Sequence, residues 1–377
     1  MLKEVILQNY KAFKQETHLE LRPITVLIGR NSSGKSSLCK IVDAISESFR
    51  DDAVDFLPIQ TEHNRLGDMY EDLFFQRITT DLSIGMIFDE GKRINTNFLM
   101  QGGAFCPSSY AASNGVMEKS KLFSSKEESL RGGFMGLYYP FCCNEVGITH
   151  DDVKYNIEYI GPIRHRAKRR IESANVRRSS FVGEDGNKAY EMLLLSHLTD
   201  GELLGKVSKW CADNMDGQRL SISEPAPGSG VFSIFVDRNG AHVNIADVGE
   251  GIAQVLPIIV QSYVRYGDIS IIEQPSLHLN SAAHAKVAMR LVESAIELNK
   301  KYLIETHSDT FLTGIRKMVA ERKLNRKDVI IYNVNHDGES AWLEPIEIGD
   351  NFEYTSWPEG MFEDDYQLQN EINRILG

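Results

Sequence analysis

No apolar run in this 377-residue chain approaches the roughly 20 residues that span a bilayer. The opening MLKEVILQNY places charges inside what would have to be a signal core, so neither a membrane span nor a leader is expected. Cysteine is scarce: Cys39, Cys106, Cys142, Cys143 and Cys211 form an odd set of five without C-x-x-C spacing. This argues against a disulfide framework and a zinc cluster, and points to reduced, structural thiols in a cytoplasmic protein. Heptads long enough for a coiled coil are missing, as are internal repeats. Positive surplus is missing too, since 41 Lys and Arg face 53 Asp and Glu for a formal net charge of -12. Any nucleic acid would have to be met by a local basic patch. What is present, 42% hydrophobic and 25% charged residues, is ordinary for a globular chain. The length suits two or three domains, or one large domain with insertions.

The strongest local signal is ITVLIGRNSSGKSSLCKIV, residues 24–42. Gly29 to Ser36 fits G-x-x-x-x-G-K-[ST], the phosphate-binding P-loop. Glycines at both ends let the backbone wrap and aim N–H groups at phosphate oxygens, and the following helix adds its positive end. Gly29, Asn31, Ser32, Ser33, Gly34, Lys35, Ser36 and Ser37 are therefore the nucleotide-binding candidates. Lys35 would reach the β- and γ-phosphates of ATP, and the Ser36 hydroxyl would join the Mg²⁺ shell. The apolar ITVLIG before the loop reads as a strand. Leu38, Ile41, Val42, Ile45 and Phe49 after it fall near helical spacing, which is the setting the motif requires.

Strand and helix patterns alternate at both ends of the chain, which predicts one α/β nucleotide-binding core with the middle inserted into it. Residues 1–92 form the N-terminal part of that core. Residues 93–136, rich in Ser, Gly and Asn, are expected to be an irregular insertion. Residues 137–163 carry a core strand, and 164–228 a helical arm that includes a basic stretch. Residues 229–377 return to the core, beginning with a hairpin whose turn is Asn239-Gly240.

A P-loop needs a carboxylate at the end of a neighbouring strand to hold Mg²⁺. ISIIEQP supplies Glu273, followed by Gln274, and YLIETHSD repeats the pattern with Glu305, Thr306 and His307. Strand C-terminal ends are where α/β proteins assemble ligand sites. Alone, His307 reads equally as a structural imidazole or a phosphate sensor.

Together the P-loop, DVGEGIAQVLP, IIEQPSLHLN and ETHSD resemble the ABC-class ATPases of the OLD, RecF and SMC-like group. The ATPase subunits of the Septu and PARIS antiphage systems are similar. The resemblance spans residues 1–50 and 244–317, and WPEGMFEDD near the end is similar to a tail in compact members. It implies an ABC-type P-loop core, a mixed sheet flanked by helices. Lys35 and Ser36 then match the Walker A residues, and Glu273 the metal-binding Walker B acid. His307 matches the switch histidine, with Glu273, Gln274 and His307 as catalytic candidates. Asp247 to Gly251 match the signature motif, so Gly249 and Gly251 would touch the γ-phosphate of a second subunit.

A nucleotide-gated homodimer, or a higher assembly of dimers, follows from the resemblance, with ATP and Mg²⁺ as cofactors. It also implies control of a nucleic-acid or effector partner in antiphage defence. Since little chain remains for a nuclease domain, a nuclease effector would be a separate protein. Two positions depart from the pattern: Gln274 stands where the catalytic glutamate is usual, and Val248 near the usual signature serine. Slow hydrolysis is expected, aided by His307 or Glu305. The alternatives are a scaffold that binds ATP without hydrolysing it and a RecF-like DNA-repair clamp.

Arg164, Arg166, Lys168, Arg169 and Arg170 make the densest positive run, with Arg177 and Arg178 beyond. Three readings stand open: a surface for DNA or RNA phosphates, arginines near the nucleotide or dimer seam as in the related Gly-Pro-x-Arg segment, and a solvated helix face paired with acids. No aromatic residues interleave the run, which weakens single-strand stacking.

Overall fold

The computed structural model describes residues 1–358. From 359 onward the tail expected from WPEGMFEDD lies outside the described residues.

The chain opens with an antiparallel pair, β1 (Leu2–Gln8) and β2 (Thr17–Glu20), then β3 (Ile24–Ile28), the P-loop and helix α1 (Lys35–Glu47). Next come β4 (Asp81–Phe88), β5 (Arg93–Gln101), β6 (Ala104–Ser113) and β7 (Glu118–Leu122). Short helices α2 (Lys126–Leu130), α3 (Pro140–Cys143) and α4 (His150–Val153) lead into β8 (Ile157–Ile160). After β9 (Ile171–Glu172) come α5 (Ala189–Leu198), α6 (Glu202–Asn214), β10 (Arg219–Ser223), β11 (Val231–Arg238) and β12 (Ala241–Asn244). Helix α7 (Glu250–Gln261) precedes the alternation β13 (Ile269–Glu273), α8 (Ser281–Leu298), β14 (Lys301–Glu305), α9 (Asp309–Ala320). β15 (Val329–His336) and β16 (Ala341–Ile346) complete it.

The central sheet runs β16-β15-β3-β14-β13-β8, parallel except for edge strand β16. ITVLI, IEYI and ISIIE are buried at every position, the near-continuous burial of strands covered on both faces. Alternation sorts their side chains. Leu27, Leu303, Ile271 and Tyr159 pack with α1 residues such as Leu38 and Ile45, while Val26, Ile304, Ile272 and Ile160 pack with α7, α8 and α9. The first cluster also takes up the apolar face of an antiparallel sheet, β2-β1-β4-β5-β6-β7. A smaller sheet, β10-β11-β12 with β9 against β11, flanks the second.

Two expectations are corrected. Residues 93–136 are not irregular: β5, β6 and β7 extend the antiparallel sheet. In β5 the buried Ile94, Thr96 and Phe98 alternate with more exposed Arg93, Asn95 and Asn97, so polar residues fill its outer face rather than a loop. The helical arm is a pair of helices, broken at Thr199-Asp200-Gly201 with Gly201 at φ 71°, and packed on α7 and β10. Residues 164–170 ahead of that pair lie in neither helix nor strand, so the basic run is not a helix face. The Asn239-Gly240 turn is present, with φ of 49° and 81°, as a two-residue hairpin turn of positive φ requires. All five cysteines are buried and unpaired. No helix among the described residues is long and apolar enough to cross a membrane.

Candidate nucleotide site

The P-loop joins β3 to α1 at the C-terminal end of the parallel strands. Gly29 takes φ 143°, and a Cβ there would stand 2.5 Å from the Val334 carbonyl oxygen, so only glycine fits. Gly34, at φ 105°, precedes the first helical residue. Lys35 is 3% exposed, and its Nζ donates to the carbonyls of Gly29 at 3.0 Å and Arg30 at 2.7 Å. Burial lowers its pKa, while the Glu305 carboxylate opposes that shift. Ser36 Oγ donates to Glu305 Oε2 at 2.7 Å.

Glu273 ends β13 level with Glu305 at the end of β14. Both side chains point toward α1, Glu305 to Ser36 and Glu273 to the Tyr159 hydroxyl, which donates to its Oε1. Burial raises the Glu273 pKa, and the charges of Glu305 and Glu184 add to the rise. Gln274 follows at φ 49°, its N–H bonded to the Glu305 carbonyl at 2.8 Å. His307 is exposed beyond the end of β14, and partial desolvation together with Lys35 holds its pKa below the usual imidazole range. Next to it Ser308 caps α9, and His284 Nδ1 lies 2.7 Å from the Ser308 hydroxyl.

These residues fit a magnesium-bound nucleoside triphosphate. Ser33 Oγ is buried without a hydrogen-bond partner and offers a donor for a phosphate oxygen. Ser36, Glu273 and Glu305 supply the hard oxygens Mg²⁺ prefers. Asn31, Ser32 and Ser37 complete the loop and first turn, Ser32 with φ 63°.

The signature residues stand elsewhere. Gly249 is the N-cap of α7 and Gly251 its second residue. Among the described residues no hydrogen bond or ion pair joins 247–251 to 29–36. Asp247 instead holds a two-pronged pair with Arg169, and Glu250 lies 3.9 Å from Arg166.

The basic run is thus largely spent within the chain. Lys168 pairs with Glu191 at 2.8 Å. Arg164, the arginine of the Gly-Pro-x-Arg segment, is buried beside Glu273 and Gln274 and is not on the surface that a nucleic-acid contact requires. At 4% exposure it donates through Nη2 to the carbonyls of Glu273 at 2.6 Å and Gln274 at 3.1 Å, and through Nη1 to that of Gln254 in α7 at 3.4 Å. Gln254 Nε2 returns a bond to the Arg164 carbonyl at 3.3 Å. Burial lowers the guanidinium pKa to about 10. Of the five, Arg166, Arg169 and Arg170 are exposed.

Three contacts at this end of the sheet escape sequence reasoning: Tyr159 on Glu273, Arg164 on the carbonyls of Glu273 and Gln274, and Glu184 beside the end of β8. None sits in a phosphate motif. For Tyr159 the available signal was YIGP itself, a strand ending in a sharp turn, but its register against β13 is a tertiary fact.

The family model for the AAA ATPase domain matches residues 1–132. An SMC head bound to the C-terminal winged-helix domain of ScpA superposes with TM-score 0.52 at 14% identity, covering 92% of this chain and 98% of that one. The SMC head of Thermotoga maritima gives 0.47 at 11% identity, over 92% and 99% of the two chains. The Pyrococcus furiosus head with an extended coiled coil, bound to the C-terminal domain of ScpA, gives 0.49 at 13%, over 99% of each. No curated protein matches the sequence. The fold is the mixed α/β fold of an SMC head, an ABC-type P-loop ATPase fold.

Proposed function

We propose that the chain binds ATP with Mg²⁺ at residues 29–37 and hydrolyses it slowly, as one half of a nucleotide-gated homodimer. The carrying observation is that Lys35, Ser36, Glu273 and Glu305 meet at one end of the central sheet, with the Ser36 hydroxyl on Glu305. In that arrangement Lys35 neutralises β- and γ-phosphate charge. Ser36 and Glu273 hold the metal, which polarises the terminal phosphate when bound. His307 contacts the phosphate that leaves. Gly249 and Gly251 of a second copy close over the γ-phosphate through backbone N–H groups. Opening and closing is then passed to a separate effector, a nuclease or another protein, or to nucleic acid, in antiphage defence. The SMC head with the highest of the three scores carries a bound winged-helix domain, and a partner protein on this head is proposed in the same spirit.

Gln274 favours a second reading, in which ATP is a conformational ligand and hydrolysis is absent. Light scattering and ATP turnover of wild type, Lys35→Ala and Gln274→Glu, with and without DNA, separate the two. Wild-type turnover that rises in Gln274→Glu, with Lys35→Ala monomeric and inactive, supports the ATPase. ATP-dependent dimers without turnover support the scaffold, and assembly of Lys35→Ala like wild type would sink the gated dimer.

A further inference from the structure

Gln274 leaves the site short of a proton acceptor, because an amide does not take a proton as a carboxylate does. The sheet end carries another carboxylate. Parallel register sets Ile160 of β8 against Ile272 of β13, so Gly161 and Glu273 are the next residues on neighbouring strands. Tyr159 faces α1 and reaches Glu273, and alternation points position 161 the same way. Position 161 has no side chain, and Glu184 lies beside it: a Cβ on Gly161 would stand at ordinary contact distance, 3.6 Å from Glu184 Oε1 and 3.7 Å from its Cγ.

The loop that delivers Glu184 is pinned on both flanks. Gly161 N–H donates to the Glu184 carbonyl at 2.9 Å, and His165 N–H to that of Asp185 at 2.7 Å. Gly186, at φ 72°, lies so close to α7 that a Cβ there would stand 2.4 Å from the Pro257 ring. The other acids are already engaged, Glu305 by Ser36 and Glu273 by Tyr159. Among the described residues the Glu184 carboxylate has no hydrogen bond or ion pair, so both oxygens are available. The residue is exposed, and partial desolvation raises its pKa, with Asp185 and Asp43 adding and His63 and Lys40 opposing.

We propose that Glu184 accepts the proton from the water that attacks the γ-phosphate of ATP, the task Gln274 does not perform. The role rests on the ATPase reading above. The water oxygen bonds to the γ-phosphorus and the bond from that phosphorus to the β,γ-bridging oxygen breaks. The water proton passes to a Glu184 oxygen, and ADP and phosphate leave. The fixed loop keeps the acceptor in place before substrate arrives, which is what general-base catalysis needs.

Steady-state hydrolysis and ATP binding of the full chain, with Mg²⁺, test this in Glu184→Gln, Gln274→Glu and the double variant. Glu184→Gln should lose about 100-fold or more in kcat while ATP affinity stays within about threefold, which also reports an intact fold. In the Gln274→Glu background the Glu184→Gln change should cost less than about threefold, because the new carboxylate takes the proton, whereas a merely structural Glu184 would cost the double variant the same factor as the single one. If wild type hydrolyses ATP and Glu184→Gln does so within about threefold of it, the assignment is overturned while the ATPase reading stands. If wild type binds ATP but never hydrolyses it, both fall together.

Discussion

Arg164 carries a charge that the fold does not place in water. Its guanidinium ties three carbonyls from two elements, Glu273 and Gln274 at the end of β13 and Gln254 inside α7. Removing it leaves buried acceptors without donors, and that desolvation cost exceeds the modest net worth of a hydrogen bond. Arg164→Met should therefore lower stability by about 2–4 kcal/mol in urea unfolding, near the range for breaking a buried charged network. Arg170→Ala, at an exposed position of the same run, should stay within about 0.5 kcal/mol. Equal effects at the two positions would refute the distinction. A run of five basic residues reads alike along its length, because burial is decided by what packs over each side chain. The P-loop differs: Gly29, Gly34, Lys35 and Ser36 carry their role in local spacing, and strand, loop and helix form around them as that spacing requires. Tyr159 and Glu184 reach this sheet end only across strands or loops distant in sequence, so no local pattern marks them.

Between elements, the packing of α8 on α9 depends on Gly314. A Cβ there would stand 2.6 Å from the Ala285 carbonyl oxygen and 3.0 Å from the Ala288 Cβ. Helix propensity alone favours Gly314→Ala by about 1 kcal/mol. The collision is with backbone, which cannot turn aside, so overpacking should win and the variant should lose about 1–3 kcal/mol in chemical denaturation. A variant more stable than wild type would show that the helices separate freely. Since α9 starts at Asp309, with Ser308 as its cap directly after His307, this contact also holds the element next to His307. Strongly periodic elements such as α7, α8, β13 and β14 were readable from side-chain pattern because their apolar positions repeat without interruption. β5 to β7 were not: their solvent face is built from Asn, Ser and Lys, residues that also make loops, and pairing with β4 makes them strands. The break between α5 and α6 turns on a single left-handed glycine, Gly201, inside an otherwise helical pattern.

For the whole molecule the question is whether one copy suffices. The loop of residues 247–251, proposed above as the signature motif, ends at the N-terminus of α7, held in place by the Arg169–Asp247 pair, and makes no hydrogen bond or ion pair with the P-loop of its own chain among the described residues. A composite site built across a two-fold axis uses the same surface twice, so a single obstruction acts at both nucleotides. Gly249 is the place for one. Its φ of -53° and ψ of 148° suit any residue, and a Cβ there meets nothing within 4 Å. Gly249→Arg should consequently fold as wild type and bind ATP within about threefold of it, yet remain monomeric in light scattering with Mg²⁺ and ATP present. Hydrolysis should fall about tenfold or more, because the second copy no longer closes over the γ-phosphate. If Gly249→Arg doubles its mass with ATP as wild type does, residues 247–251 are not at the seam. Loss of ATP binding in the variant would mean instead that this loop serves the P-loop of its own chain, and the dimer would no longer be needed to complete the site.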